Sequence, residues 1–137
     1  MKIKGLRWWI IGLVALGTAI NYLARSSLSV AASTLFTELH ITEQQYSWVI
    51  MSFQMAYTVA QSFCGYILDS IGLRIGFFIF AQAWSFANMA HALAFNWQSL
   101  ACFRGLLGLS EAAAIPAGIK TASEWFPSKE RGVAGGL

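Results

Sequence analysis

The chain has 137 residues, 57% of them hydrophobic and only 11% charged, with a formal net charge of +3. A soluble domain carries roughly 25% charged residues, so this supply cannot coat a globular surface, and a water-soluble enzyme or binding module is excluded. What remains is an all-α, polytopic membrane protein whose helices each need about 20 mainly apolar residues to cross the bilayer.

The N-terminal stretch MKIKGLRWWIIGLVALG sets basic residues before an apolar run, as a signal peptide does. The run exceeds a signal core of about 7–15 residues, and no small-residue cleavage site closes it. It reads as a first transmembrane helix from about Arg7 to Phe36. A second span is predicted over Glu43 to Ser70, a third over Arg74 to Phe95 and a fourth over Ser99 to Glu124. The junctions are short: TELHITEQQ, DSIGLR and FNWQ, with WFPSKERG after the fourth span, and GVAGGL reads as the start of a fifth helix. Lys2, Lys4, Arg7, Arg74, Lys129 and Arg131 fall on one side of these spans, while the turns at 37–42 and 95–98 carry no Lys or Arg. Positive residues mark the cytoplasmic side, so the N-terminus is expected inside.

Within the spans, Arg25, Arg104 and Glu111 are the ionisable residues deepest in apolar sequence. Each costs about 2.5–3.5 kcal/mol on insertion scales at a helix centre, and intramembrane charges usually serve a function. Arg104 and Glu111 are seven residues apart and share a helix face, with Gly108 between them in a segment rich in Gly, Ala and Ser that allows close packing. Asn21, Tyr22 and Arg25 share a face of the first helix, and Gln54, Tyr57, Thr58 and Gln61 form a polar stripe on the second. Such faces must meet one another or a watery cavity. The alternative is structural: an ion pair of Glu111 with Arg104 or Arg25 that fixes packing, and plain interhelical hydrogen bonds along the second helix. Cys64 and Cys102 sit in apolar segments and read as small apolar fillers. There is no phosphate-cradling loop, no Cys/His ligand cluster, no nucleophile with a base at useful spacing and no basic aromatic patch. Neither an enzyme nor a nucleic-acid-binding protein is expected, and no metal or cofactor.

The stretch GYILDSIGLR, residues 65–74, resembles the loop motif between helices two and three of the major facilitator superfamily, through Gly65, Asp69, Gly72 and Arg74. Ser70 and Leu73 stand where that motif is commonly basic. RGLLGLSEAAAIPAG resembles the helix-four motif of the same superfamily, and YLAR, YTVAQ and SEWFPSKERG together resemble its anion:cation symporter branch, in particular the bacterial carriers of hexuronates. The resemblance covers the whole chain.

It implies proton-coupled symport of a small anionic sugar acid across the bacterial inner membrane by alternating access, with the proton as coupling ion. It puts Tyr22, Arg25 and Tyr57 on substrate positions, Arg104 and Glu111 on the proton-coupling pair, and Asp69, Arg74, Glu130 and Arg131 on a cytoplasmic gate network. Such carriers place an aspartate immediately before the helix-one arginine, where this chain has Ala24. They also often place a proline after the glutamine of the helix-two segment that reads QSFCG here. A guanidinium is a rigid fork that holds a carboxylate in bidentate fashion, so Arg25 would bind the substrate's charge while Asn21, Tyr22, Tyr57 and Gln61 address its hydroxyls. Glu111 is the one carboxyl well inside a span. Burial favours its neutral acid and a neighbouring arginine favours its carboxylate. Transporters of this class pair two six-helix halves, so residues 1–137 are expected to be an incomplete N-terminal half, inactive alone, whose partners are the bilayer, the substrate and the remaining C-terminal helices. A self-contained four-helix membrane protein, either a dimeric proton-coupled exporter or an assembly subunit, is the competing reading.

Overall fold

The computed structural model describes residues 5–136. Lys2 and Lys4, two of the charges used to orient the chain, lie outside the described residues. The first helix, α1, runs over Leu6–Glu38. Its buried residues Val14, Asn21 and Leu28 recur every seven positions, with Ile11 one turn before them, and make one narrow stripe. Thr42 opens α2 (Glu43–Ile71) with a reciprocal cap: its hydroxyl accepts from Gln45 N at 3.2 Å, and its own N–H donates to Gln45 Oε1 at 3.0 Å. Only Gly72, at φ +86°, separates α2 from α3 (Leu73–Ala90), a conformation that strains any residue with a Cβ.

The third expected span, Arg74–Phe95, is shorter as a regular helix. α3 stops at Ala90 and a single 3-10 turn, His91–Leu93, follows. His91 Nδ1 donates to the Ala87 carbonyl at 2.8 Å and so satisfies one of the carbonyls orphaned at the helix end. Asn96 is extended because it caps α4, its Oδ1 accepting from Ser99 N at 2.7 Å. α4 therefore starts at Trp97, two residues before the expected Ser99.

The fourth expected span, Ser99–Glu124, is broken in two: α4 (Trp97–Glu111) and α5 (Ala114–Trp125). Pro116 causes the break, because it has no N–H to offer the Ala112 carbonyl and its ring crowds that oxygen. Ala112 and Ala113 keep nearly helical backbone angles, so the result is a joint and not a turn. After Phe126 the chain makes a short connection into α6 (Arg131–Gly135).

The tightest packing joins α2 to α4. A Cβ on Gly108 would lie 2.5 Å from the Phe53 carbonyl oxygen, and Ser52 Oγ donates across the interface to Ala101 O at 2.9 Å. α3 covers this pair with Phe77, Phe80 and Trp84. α1 lies on α5, with Ile11 clustered with Ala122, Phe126 and Ala134. At the opposite end Leu28, Ile41, Val49 and Leu100 close the bundle. Much of the outer surface is apolar, including Trp9, Leu23, Val30, Phe63, Phe86 and Met89, far beyond what a soluble monomer exposes. By length and composition, α1 and the bent α4–α5 rod can each cross a membrane. α2 has the length but carries the Gln54, Thr58 and Gln61 stripe, and α3 has only 18 residues.

Candidate functional site

Midway along α1, the Arg25 guanidinium lies over two aromatic rings of α2, with Cζ 4.7 Å from the Phe53 centroid and 5.3 Å from that of Tyr57. Those two rings stack on each other at 5.8 Å. Arg25 Nη2 donates to Gln54 Oε1 at 3.3 Å. From α4, Arg104 places its Cζ 5.3 Å from the same Phe53 ring, and its Nη2 donates to the Arg25 carbonyl at 2.8 Å. Two cations thus share one aromatic seat, held by attraction to the ring's electron-rich face. A cavity of about 160 Å³ opens beside them, lined by Arg25, Ser29, Tyr46, Phe53, Gln54 and Arg104 among others.

The structure brings Arg25 and Tyr57 together but distributes the other expected substrate residues differently. Asn21 is only 5% exposed and Tyr22 is 55% exposed, and neither lines this cavity. Gln61, half-buried, lies two turns further along α2 and is not in the lining. Gln54 and Phe53 take closer places. Gln54 was visible in the polar stripe, while Phe53 had no signal beyond its adjacency.

Glu111 is the last residue of α4, immediately before the joint, and is 1% exposed. Neither of its carboxyl oxygens has a hydrogen-bond partner among the described residues. No arginine nitrogen lies within 4.0 Å of it, since the ion pairs among the described residues are Arg7–Glu130, Lys120–Asp69 and Lys120–Glu124. A direct packing salt bridge from Glu111 to Arg104 or Arg25 is therefore not formed. Arg104 also keeps Nε and Nη1 unpartnered, at 5% exposure.

Four of the expected gate residues, Gly65, Asp69, Glu130 and Arg131, fall into two clusters at the opposite end from residues 39–42. Asp69 accepts from Lys120 Nζ at 2.6 Å, and the same ammonium donates to the Leu68 carbonyl at 2.9 Å. Gly65 lines a groove of about 360 Å³ with Asp69, Pro116 and Lys120. In the second cluster Glu130 pairs with Arg7 at 3.0 Å. Arg131 donates to the Ser123 and Phe126 carbonyls, at 2.9 and 3.1 Å, and so closes the end of α5. Arg74 is exposed, bonds to neither cluster, and lines an apolar groove of about 760 Å³ with Leu6, Phe77, Glu124 and Trp125. Lys120 was not singled out from sequence, although its stem lies along a span and its head reaches the end, the snorkelling expected of lysine. Among the described residues no cluster of three or more His, Cys, Asp or Glu could hold a metal.

The family model described as Major Facilitator Superfamily matches residues 14–137. The chain is 50% identical over 135 residues to the galacturonate transporter of Dickeya chrysanthemi, covering 98% of this chain and 39% of that protein. It is 53% identical over 135 residues to the hexuronate transporter of Escherichia coli strain K12, covering 98% of this chain and 31% of that protein. Against the D-galactonate transporter of Escherichia coli O6:H1 the identity is 32% over 131 residues, 96% of this chain and 30% of that protein. The chain thus spans between 30% and 39% of the length of these curated relatives. All three are named transporters, in agreement with the lack of any enzyme signature. An outward-facing apolar surface, two arginines converging on one ring and a match over nearly the whole chain lead to one assignment: the chain belongs to the Major Facilitator Superfamily, an all-helical family of multi-pass membrane transporters.

Proposed function

We propose that this chain is the N-terminal part of a proton-coupled symporter for hexuronate anions, working by alternating access in the bacterial inner membrane. The observation that carries this reading is the convergence of Arg25 and Arg104 on the Phe53 ring beside a small cavity. Arg104 is buried with two nitrogens unpartnered, which is unfavourable for a charge, and Arg25 is half-buried beside it; a sugar acid supplies a carboxylate for these arginines and hydroxyls for their neighbours. The names of the galacturonate and hexuronate relatives support that substrate class.

In this reading the substrate carboxylate binds Arg25, with Tyr57 fixing the guanidinium and Gln54, Asn21, Tyr22 and Gln61 available to hydroxyls as the cavity opens and closes. Glu111 carries the coupling proton. When it is an anion, it and the substrate compete for the positive field of Arg104 and Arg25; when protonated, it releases that field to the substrate. Four crossings with the N-terminus in the cytoplasm, and a gate formed by Gly65, Asp69, Gly72, Arg74, Glu130 and Arg131, complete the proposal. The remaining helices of the transporter supply the opposite wall of the substrate site.

The test is uptake of labelled galacturonate by vesicles holding the complete transporter, with and without an inward proton gradient. Glu111→Gln is expected to keep exchange of substrate across the membrane and to abolish uphill accumulation. Equal loss of both would overturn the coupling role.

A further inference from the structure

Phe53 and Tyr57 are four residues apart on α2, so their rings share a helix face and stack at 5.8 Å. The Phe53 ring has little room to move. It is 4% exposed, it clusters with Trp84, Leu107 and Ala114, and its own carbonyl is where Gly108 brings α4 closest. On this fixed ring rest the guanidiniums of Arg25, at 4.7 Å, and Arg104, at 5.3 Å. A charge taken out of water is usually paired with an opposite one. Here, among the described residues, neither arginine has a carboxylate oxygen within 4.0 Å. Each donates to one neutral acceptor instead: Arg25 to Gln54 Oε1 at 3.3 Å, and Arg104 to the Arg25 carbonyl at 2.8 Å. Arg25 has the Tyr57 ring as a second support, whereas Arg104 rests on Phe53 alone among the described rings.

For an anion site, a ring is a different kind of partner from a carboxylate. A carboxylate in contact with a guanidinium cancels its charge and occupies its donors, and an arriving anion must displace it. An aromatic face attracts the cation through its quadrupole and carries no charge of its own. A guanidinium keeps its donors in its plane and can stack through its face, so ring and anion can hold it together. Both arginines line the same cavity of about 160 Å³, and Nε and Nη1 of Arg104 have no partner. We propose that Phe53 is a positioning residue for anion binding: its ring holds the guanidiniums of Arg25 and Arg104 at the cavity and leaves their charge and donors to the substrate carboxylate. This assignment rests on the reading that the hexuronate carboxylate binds Arg25. It makes affinity depend on the electron density of the Phe53 ring as well as on its volume.

The experiment replaces Phe53 of the complete transporter by phenylalanine analogues with one, two and three ring fluorines. These withdraw charge from the ring face in steps and nearly keep its shape. Galacturonate affinity, read by calorimetry, is expected to fall about twofold with each fluorine and about tenfold for the trifluoro ring, while thermal unfolding stays near native. If the trifluoro protein does not fold, the first two steps give the slope. Phe80 packs against the same cluster and carries no guanidinium among the described residues, so the same series there should leave affinity unchanged. A flat series at Phe53 overturns the proposal, as does an equal slope at Phe80, which would assign the effect to packing. Arg25→Lys separates the two levels. Near-native galacturonate affinity in that variant removes the substrate reading and this assignment with it. A loss at Arg25 with a flat Phe53 series leaves that reading in place and overturns the role of Phe53 alone.

Discussion

Gly108 is the closest approach of α4 to α2, and adding one methyl group there has a calculable outcome. The new Cβ would stand 2.5 Å from the Phe53 carbonyl oxygen and 3.2 Å from the Tyr57 nitrogen. Both are helix backbone, so no side chain can swing away. Restoring an ordinary 3.4 Å contact separates the helices by about 0.9 Å, the difference between the two distances. Overpacking of this kind costs about 1–3 kcal/mol, and the better helix propensity of alanine returns about 1 kcal/mol. Gly108→Ala is therefore expected to lose up to about 2 kcal/mol. The displacement falls on Phe53 and Tyr57, the seat of Arg25, and misplacements of about 1 Å at a working site cost up to a hundredfold. Galacturonate affinity should drop by at least about tenfold. Gly105→Ala is the control: its nearest neighbour, Ser52 O, would be 3.9 Å from the new atom. It should be neutral or stabilising by up to about 1 kcal/mol. Thermal unfolding in detergent and calorimetric binding read both effects. If the two alanine variants behave alike, the close-approach argument is wrong.

Arg25→Lys replaces the fork by a point charge and should weaken galacturonate binding by about tenfold to a hundredfold, the loss of one charge-assisted hydrogen bond; near-native affinity would remove Arg25 from the substrate site. Pro116→Ala returns an N–H to the Ala112 carbonyl and relieves the ring clash, so the rod should straighten and gain about 1–3 kcal/mol of stability while transport falls. Thermal unfolding and vesicle uptake measure the two, and a variant that is more stable and fully active would show that the joint has no working role. Lys120→Met keeps the stem and removes the ammonium, freeing the Leu68 carbonyl and Asp69. Faster amide hydrogen exchange at the end of α2 and in α5 is expected, by about tenfold if the ammonium contributes about 1–1.5 kcal/mol.

Features governed by neighbours in sequence were legible. The α2 start at Glu43 agrees with its expected position, and the short junction DSIGLR holds the turn at Gly72; the cap of Thr42 with Gln45 was not read from the sequence. Pro116 was equally visible, but the apolar run around it dominated the reading, and the joint at Ala112–Ala113 was missed. Helical spacing put Asn21, Tyr22 and Arg25 on one face, whereas Asn21 is buried, Tyr22 is exposed and Arg25 alone of the three lines the cavity, because what part of a face is covered depends on where the neighbouring helices lie. The bond from Arg104 to the Arg25 carbonyl spans 79 residues, and that from Lys120 to Asp69 spans 51. Neither leaves a trace in periodicity.

The connection at Gly72 joins the end of α2 to the start of α3 at one point. A loop of several residues would let one helix slide along the other, but a single residue at φ +86° keeps the two ends together and leaves rotation about its own backbone bonds. Asp69 and Arg74 therefore stay near the same pivot, on opposite sides of it. When Lys120 grips Asp69 it fixes the α2 side of that pivot with one ammonium.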